Sequence, residues 1–174
     1  MQDHLQELTG RELDREEVAR RRSARFDALI PQLTVLPGVE SLLGQASAAG
    51  VPAAIASSST YSWVDQHLRR LGLGGRFDPI VTRDDVSDAK PSADLYVAVC
   101  ELLGVEPDEA VALEDSANGI RAAKDAGLYC IVVPNRITTH FDLGLADHRV
   151  ESLAELDLGA IAELSATARS TARS

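Results

Sequence analysis

Residues 110–134 read AVALEDSANGIRAAKDAGLYCIVVP, and this stretch decides the fold. An apolar run, AVAL, stops at the acidic pair Glu114 and Asp115. Ile120 and Ala123 then recur at helical spacing up to Gly127, and a second apolar run, CIVV, ends at Pro134. Strands this short and uniformly apolar, separated by a helix, suit a parallel sheet covered on both faces, because a strand with one wet face would alternate.

The same alternation extends towards the N-terminus. Val39, Leu42, Leu43 and Ala46 mark an amphipathic helix that ends at Gly50 and leads straight into the run VPAAIA, residues 51–56. Tyr61, Val64, Leu68 and Leu71 share a helical face ending at Gly72, a short strand is predicted around 77–81, and Leu95, Val99, Leu102 and Leu103 mark a further helix. The fold class is therefore α/β, a Rossmann-like, doubly wound parallel sheet. Ahead of it, Asp14 and Glu17 form a capping-box pattern, followed by Val18, Phe26, Leu29 and Ile30 at loosely helical spacing up to Pro31. Beyond Leu158 the string AIAELSATARSTARS offers little to bury, so a frayed helix or disordered tail is expected over 159–174.

Composition narrows the function classes. At 174 residues the chain holds one core plus an appendage. No apolar run approaches the roughly 20 residues that span a bilayer. Asp3 and Glu7 interrupt the start, where a secretory signal would be apolar, so a cytoplasmic location is expected. The net charge of -10 and an aromatic content of 4% argue against a nucleic-acid surface, which needs clustered cations and stacking platforms. A small anion can still bind locally. Cys100 and Cys130 lack metal-ligand spacing and read as buried free thiols, and His4, His67, His140 and His148 read as surface residues.

In an open parallel sheet, ligands bind beyond the carboxyl ends of the strands. Three such places carry suitable groups. After VPAAIA come Ser57, Ser58 and Ser59, whose hydroxyls and backbone N–H groups could hold phosphate oxygens at a helix N-terminus. After AVAL come Glu114 and Asp115, an acidic pair suited to a hard cation such as Mg2+. Between them lies Lys90, ahead of a helix. Each has a plainer explanation: the serines, Asp115 or Ser116 as helix caps, and Lys90 as a solvated loop residue. Their joint occurrence at strand ends, in this order, is harder to dismiss. Arg20, Arg21, Arg22 and Arg25 form a basic run on the first helix. Arg22 is the candidate there for a substrate contact, against the simpler alternative of a solvated face.

The strings IASSS at 55–59, DAKPSAD at 88–94 and LEDSANGIRAAKDAG at 113–127 resemble motifs two, three and four of the haloacid dehalogenase-like hydrolases. The likeness covers residues from about Pro37 to Leu156 and is nearest to the helical-cap branch that contains sugar-phosphate phosphatases and phosphoglucomutases. It implies that Ser57 hydrogen-bonds a transferring phosphoryl group, with Ser58 beside it, and that Lys90 offsets charge on it. It further implies that Asp115 binds Mg2+ with Glu114 completing or supporting the shell. Residues 1–33 resemble part of the branch's helical cap and residues 34–158 its core.

One element of the resemblance is not matched. The family attacks phosphate with an aspartate of an Asp-x-Asp pair at the end of its first strand, and no Asp-x-Asp occurs in these 174 residues. The resemblance puts that strand at the centre of the sheet, between the strands ending at Ala56 and near Leu113. A sheet without it would expose two edges and invite self-association, and the chain by itself is expected to be inactive. The leading expectation is a Mg2+-dependent phosphatase acting on a small phosphorylated metabolite such as a sugar phosphate. A sugar phosphomutase is the nearest alternative, although the Lys and Asn that such mutases carry after the motif-two serines are replaced by Thr60 and Tyr61. A non-catalytic chain that binds a phosphorylated ligand, or completes its sheet with a partner, is the third.

Overall fold

The structure, a computed structural model, describes Gly10 and residues 14–172. It divides into two compact units, Met1–Thr34 and Val35–Ser174. In the first, helix α1 (Arg15–Leu29) leads into a single 3-10 turn at Ile30–Gln32. Asp14 is its N-cap: the carboxylate accepts from the backbone N–H of Glu16 at 2.9 Å and of Glu17 at 3.2 Å, satisfying two of the donors that a helix start leaves free. Glu17 does not complete a capping box; its carboxylate pairs with Arg20 and Arg21 one turn on. Arg22 is exposed, and no residue of α1 is buried.

The second unit runs α2 (Val39–Ala49), β1 (Ile55–Ser57), α3 (Tyr61–Arg70), β2 (Ile80–Thr82), α4 (Asp94–Leu103), β3 (Val111–Glu114), α5 (Ala117–Asp125), β4 (Tyr129–Val132), β5 (His148–Arg149) and α6 (Leu158–Ala172). All pairings are parallel: β1 with β2, β3 with β4, and β4 with β5. This is the α/β architecture anticipated from the apolar runs. The ladders form two separate sheets, and among the described residues none joins β1 to β3. Helix α4 bridges them, packing on β1, β2 and α5, while α5 packs on β3 and β4.

The core follows this layering. Tyr96 and Cys100 of α4, Ala112 of β3, Ile120 and Ala123 of α5 and Cys130 of β4 form one buried cluster; Val81, Leu95 and Val99 form another. Ala56 of β1 packs against both, so it ties the two sheets together. Both cysteines are free and buried, as their apolar surroundings in the sequence suggested. No helix among the described residues is long and apolar enough to cross a membrane.

The segment from 159, expected as a frayed helix or disordered tail, is helical as far as it is described, with α6 running to Ala172. Asp157 Oδ1 accepts from Ala160 N at 2.7 Å, and Gln45 of α2 accepts from Leu158 N at 2.9 Å, so the first turn is capped twice. Ile161 and Leu164, one turn apart, pack against Ile131, Val150 and Leu156; a few apolar residues on one face are enough to anchor a helix otherwise rich in Ala, Ser and Thr. His67 is not a surface residue. Both its ring nitrogens are buried without a hydrogen-bond partner, and its ring stands edge-on to Trp63 at 4.3 Å.

Candidate active site

Strand β3 delivers two consecutive carboxylates to one place. Ala112 and Glu114 point into the protein, whereas Leu113 between them is 42% exposed, the alternation that a strand imposes. The chain then turns, and Ser116 caps α5 by accepting from Gly119 N at 3.1 Å. Gly119 lies directly under the Glu114 carboxylate, so close that an added Cβ would collide with the carboxyl carbon and both oxygens. The glycine is what lets a strand-end carboxylate lie flat on the first turn of the helix.

Lys90 reaches the same carboxylate from the loop before α4. Its ammonium pairs with Glu114 Oε1 in a contact whose side chains are only 13% and 6% exposed. Tyr96, in the first turn of α4, donates its phenol proton to that oxygen at 2.5 Å. Glu114 Oε2 accepts from Asp115 N at 3.2 Å and from Ser116 Oγ at 3.4 Å. Four donors thus meet one buried carboxylate, the condition under which a buried charge is tolerated. Burial, and then the Glu114 charge, hold the Tyr96 phenol far above the ordinary phenol range, so it stays a donor. The same two causes push the Cys130 thiol up to about 12.

Asp115, the next residue, is exposed. Asn135 Nδ2 donates to its Oδ2 at 2.8 Å. Asn135 is itself fixed, since its Oδ1 accepts from Ile137 N at 2.8 Å and Thr138 N at 3.1 Å in the loop after β4. At the end of β1, Ser57 Oγ accepts from Ser59 N at 3.1 Å, and Thr60 caps α3 by accepting from Trp63 N at 3.4 Å. Ser58 is exposed. Asp84 Oδ2 accepts from Tyr61 N at 2.8 Å, so the start of α3 is held from the β2 end as well.

The structure therefore joins Lys90 to Glu114 and sets Asp115 next to them, while Ser57 and Ser58 end the other ladder with no hydrogen bond to that group among the described residues. Arg22 belongs to the first unit. Tyr96, Gly119 and Asn135 had not been singled out. Tyr96 follows Leu95 in an apolar helix and reads as core; Asn135 directly follows Pro134, where the last apolar run ends. For a metal, Glu114 is fully engaged and Asp115 is the available carboxylate. Among the described residues no group of three or more His, Cys, Asp or Glu converges. That donor set fits Mg2+, which is held by one or two carboxylates with water and substrate phosphate completing the shell, and does not fit a closed structural site.

Comparison with known proteins identifies the family. The YhcW protein of Bacillus subtilis is 42% identical over 156 residues, covering 90% of this chain and 71% of that protein. Hexitol phosphatase B of Escherichia coli is 33% identical over 144 residues, or 82% of this chain and 65% of that protein. The crystal structure of CbbY from Rhodobacter sphaeroides in complex with phosphate superimposes with a TM-score of 0.74 at 38% identity, covering 87% of this chain and 70% of that one. The family model for haloacid dehalogenase-like hydrolases matches residues 2–127, and the chain belongs to that family.

Proposed function

We propose that these residues form the phosphate-handling side of a phosphatase for small phosphorylated metabolites, sugar phosphates among them. The observation that carries this reading is the buried Lys90 ammonium, fixed by Glu114 and Tyr96 next to the open carboxylate of Asp115. A cation held beside a metal-binding carboxylate at strand ends is what phosphoryl transfer needs, because that reaction is catalysed largely by positioning and charge neutralisation. The relatives support it: one is a hexitol phosphatase, and one structural neighbour was crystallised in complex with phosphate.

In this reading Lys90 neutralises charge on the phosphoryl oxygens. Ser57, whose oxygen already accepts from Ser59 N, keeps its own proton free to donate to phosphate, and the exposed Ser58 lies beside it. Asp115 would hold Mg2+, with Glu114 behind it as support for Lys90. Bound there, Mg2+ neutralises charge on the phosphoryl group. Attack needs a carboxylate, and no Asp-x-Asp is among the 174 residues; Lys90, Ser57 and Asp115 bind and orient, and cannot replace it. Thr60 and the backbone of Tyr61 serve as the capped start of α3, and Thr and Tyr at these two positions, in place of the Lys and Asn of the mutases, favour phosphatase over mutase. Arg22 remains a candidate for a substrate contact.

The test is product analysis. A chain in which residues 1–174 follow a strand bearing Asp-x-Asp is incubated with Mg2+ and a panel of sugar phosphates. Release of inorganic phosphate is expected, and isomerisation without release would defeat the proposal.

A further inference from the structure

We propose that Tyr96 is a positioning residue for Lys90, an inference that rests on Lys90 being the phosphate-binding cation. A lysine ammonium has three protons to donate and can swing on a long stem. Here one proton goes to Glu114 Oε1 and a second to the Tyr96 hydroxyl at 3.3 Å. The phenol in turn donates to the same Glu114 oxygen at 2.5 Å, closing a triangle of three hydrogen bonds. The ammonium also lies 4.7 Å from the centre of the Tyr96 ring, close enough for attraction to the ring face. Two protons are thus fixed and the direction of the third follows, leaving a single N–H for a ligand.

Packing alone does not account for the hydroxyl. The ring of Tyr96 fills the core beside Cys100 and Ile120, a place that phenylalanine would fill equally well. The carboxylate of Glu114 also has three other donors without it, from Lys90, Asp115 N and Ser116 Oγ. What the hydroxyl adds is the second anchor on the ammonium.

The experiment uses Tyr96→Phe, which keeps the ring, with inorganic phosphate as the probe and isothermal titration as the readout. Affinity for phosphate should fall about tenfold, the scale of one hydrogen bond to a charged group. In 15N-edited spectra of the lysine-labelled chain, the Lys90 ammonium signal should be visible and should lose its protection from exchange in the variant. Weaker phosphate binding with an unchanged ammonium signal would overturn the proposal, since loosened packing alone would give that result. Unchanged phosphate affinity with a lost signal would overturn it as well. In the unsubstituted chain, nuclear Overhauser contacts should link the Lys90 ammonium to the Tyr96 ring, and their absence overturns the inference without any variant. If the unsubstituted chain fails to bind phosphate, the phosphate role of Lys90 fails, and the proposal that Tyr96 prepares it for a ligand falls with it, whatever the spectra show.

Discussion

The Glu114 carboxylate occupies the space in which any side chain on Gly119 would have to stand. Replacing a helical glycine by alanine ordinarily stabilises by about 1 kcal/mol. Here the sign should reverse. Glu114 cannot retreat without breaking its bonds to Lys90 and Tyr96, so Gly119→Ala is expected to destabilise by about 1–3 kcal/mol, the usual scale of overpacking. Urea denaturation measures it, and a gain in stability would show that Glu114 is free to move.

Removing one member of the buried pair should be worse than removing both. Lys90→Met leaves Glu114 as a buried charge that has lost its cation, a loss of about 3–5 kcal/mol. Adding Glu114→Leu should recover most of that stability, because well-packed apolar side chains replace buried ion pairs at little cost. Neither chain should bind inorganic phosphate. A double variant no more stable than the single one would contradict this account of the pair.

Alkaline pH should weaken the fold. The folded state holds the Cys130 thiol up to about 12 and the Tyr96 phenol well above its ordinary range, whereas an unfolded thiol ionises near about 8.5. Above that pH the unfolded chain binds fewer protons than the folded one, so stability falls as pH rises and is fully present below it. Thermal melts between about pH 7 and pH 10 should stay level up to the free-thiol value and decline above it. Iodoacetamide should leave Cys130 unmodified at pH 8 until the chain is denatured, since the thiolate is the reactive form; rapid native alkylation would contradict its burial.

Much of the site is legible in the sequence, for a physical reason. Parallel strands are short apolar runs, and the polar residue that ends each one is placed by topology at a single edge. Glu114 and Asp115 became candidates that way, and Lys90 as a cation between two such ends, ahead of a helix. Tyr96 was missed because an aromatic at core spacing in an apolar helix has no local mark of its polar end; only the carboxylate 18 residues away gives it a partner. Gly119 was missed because close approach is a property of two segments, visible only when Glu114 is in place. The strand around 77–81 lies later than expected, at Ile80–Thr82, and β5 at His148–Arg149 is too short for any pattern. For residues 159–172 composition left a frayed helix and a disordered tail both open, and Ile161 and Leu164, which anchor one face of α6, carry too weak a pattern to choose between them.

Asn135 offers a test of the proposed metal role of Asp115. Its amide orients Asp115 while its carbonyl oxygen holds the loop after β4. Serine at this position can still accept from the loop N–H groups but cannot reach Asp115. Asn135→Ser should therefore weaken Mg2+ binding by about 10–100-fold, the usual effect of losing a partner that orients a metal ligand, with little change in phosphate binding in the absence of metal. Equal Mg2+ affinity in titration calorimetry would show that Asp115 needs no such support.

The most direct measurement is phosphate release from sugar phosphates with Mg2+, by the 174-residue chain alone and by the same chain preceded by a strand bearing Asp-x-Asp. The account predicts release by the second alone, abolished by Lys90→Ala. Release by the 174 residues alone would mean that another group attacks phosphate, and release that survives loss of Lys90 would mean that the buried triangle is not the phosphate site; either result contradicts it.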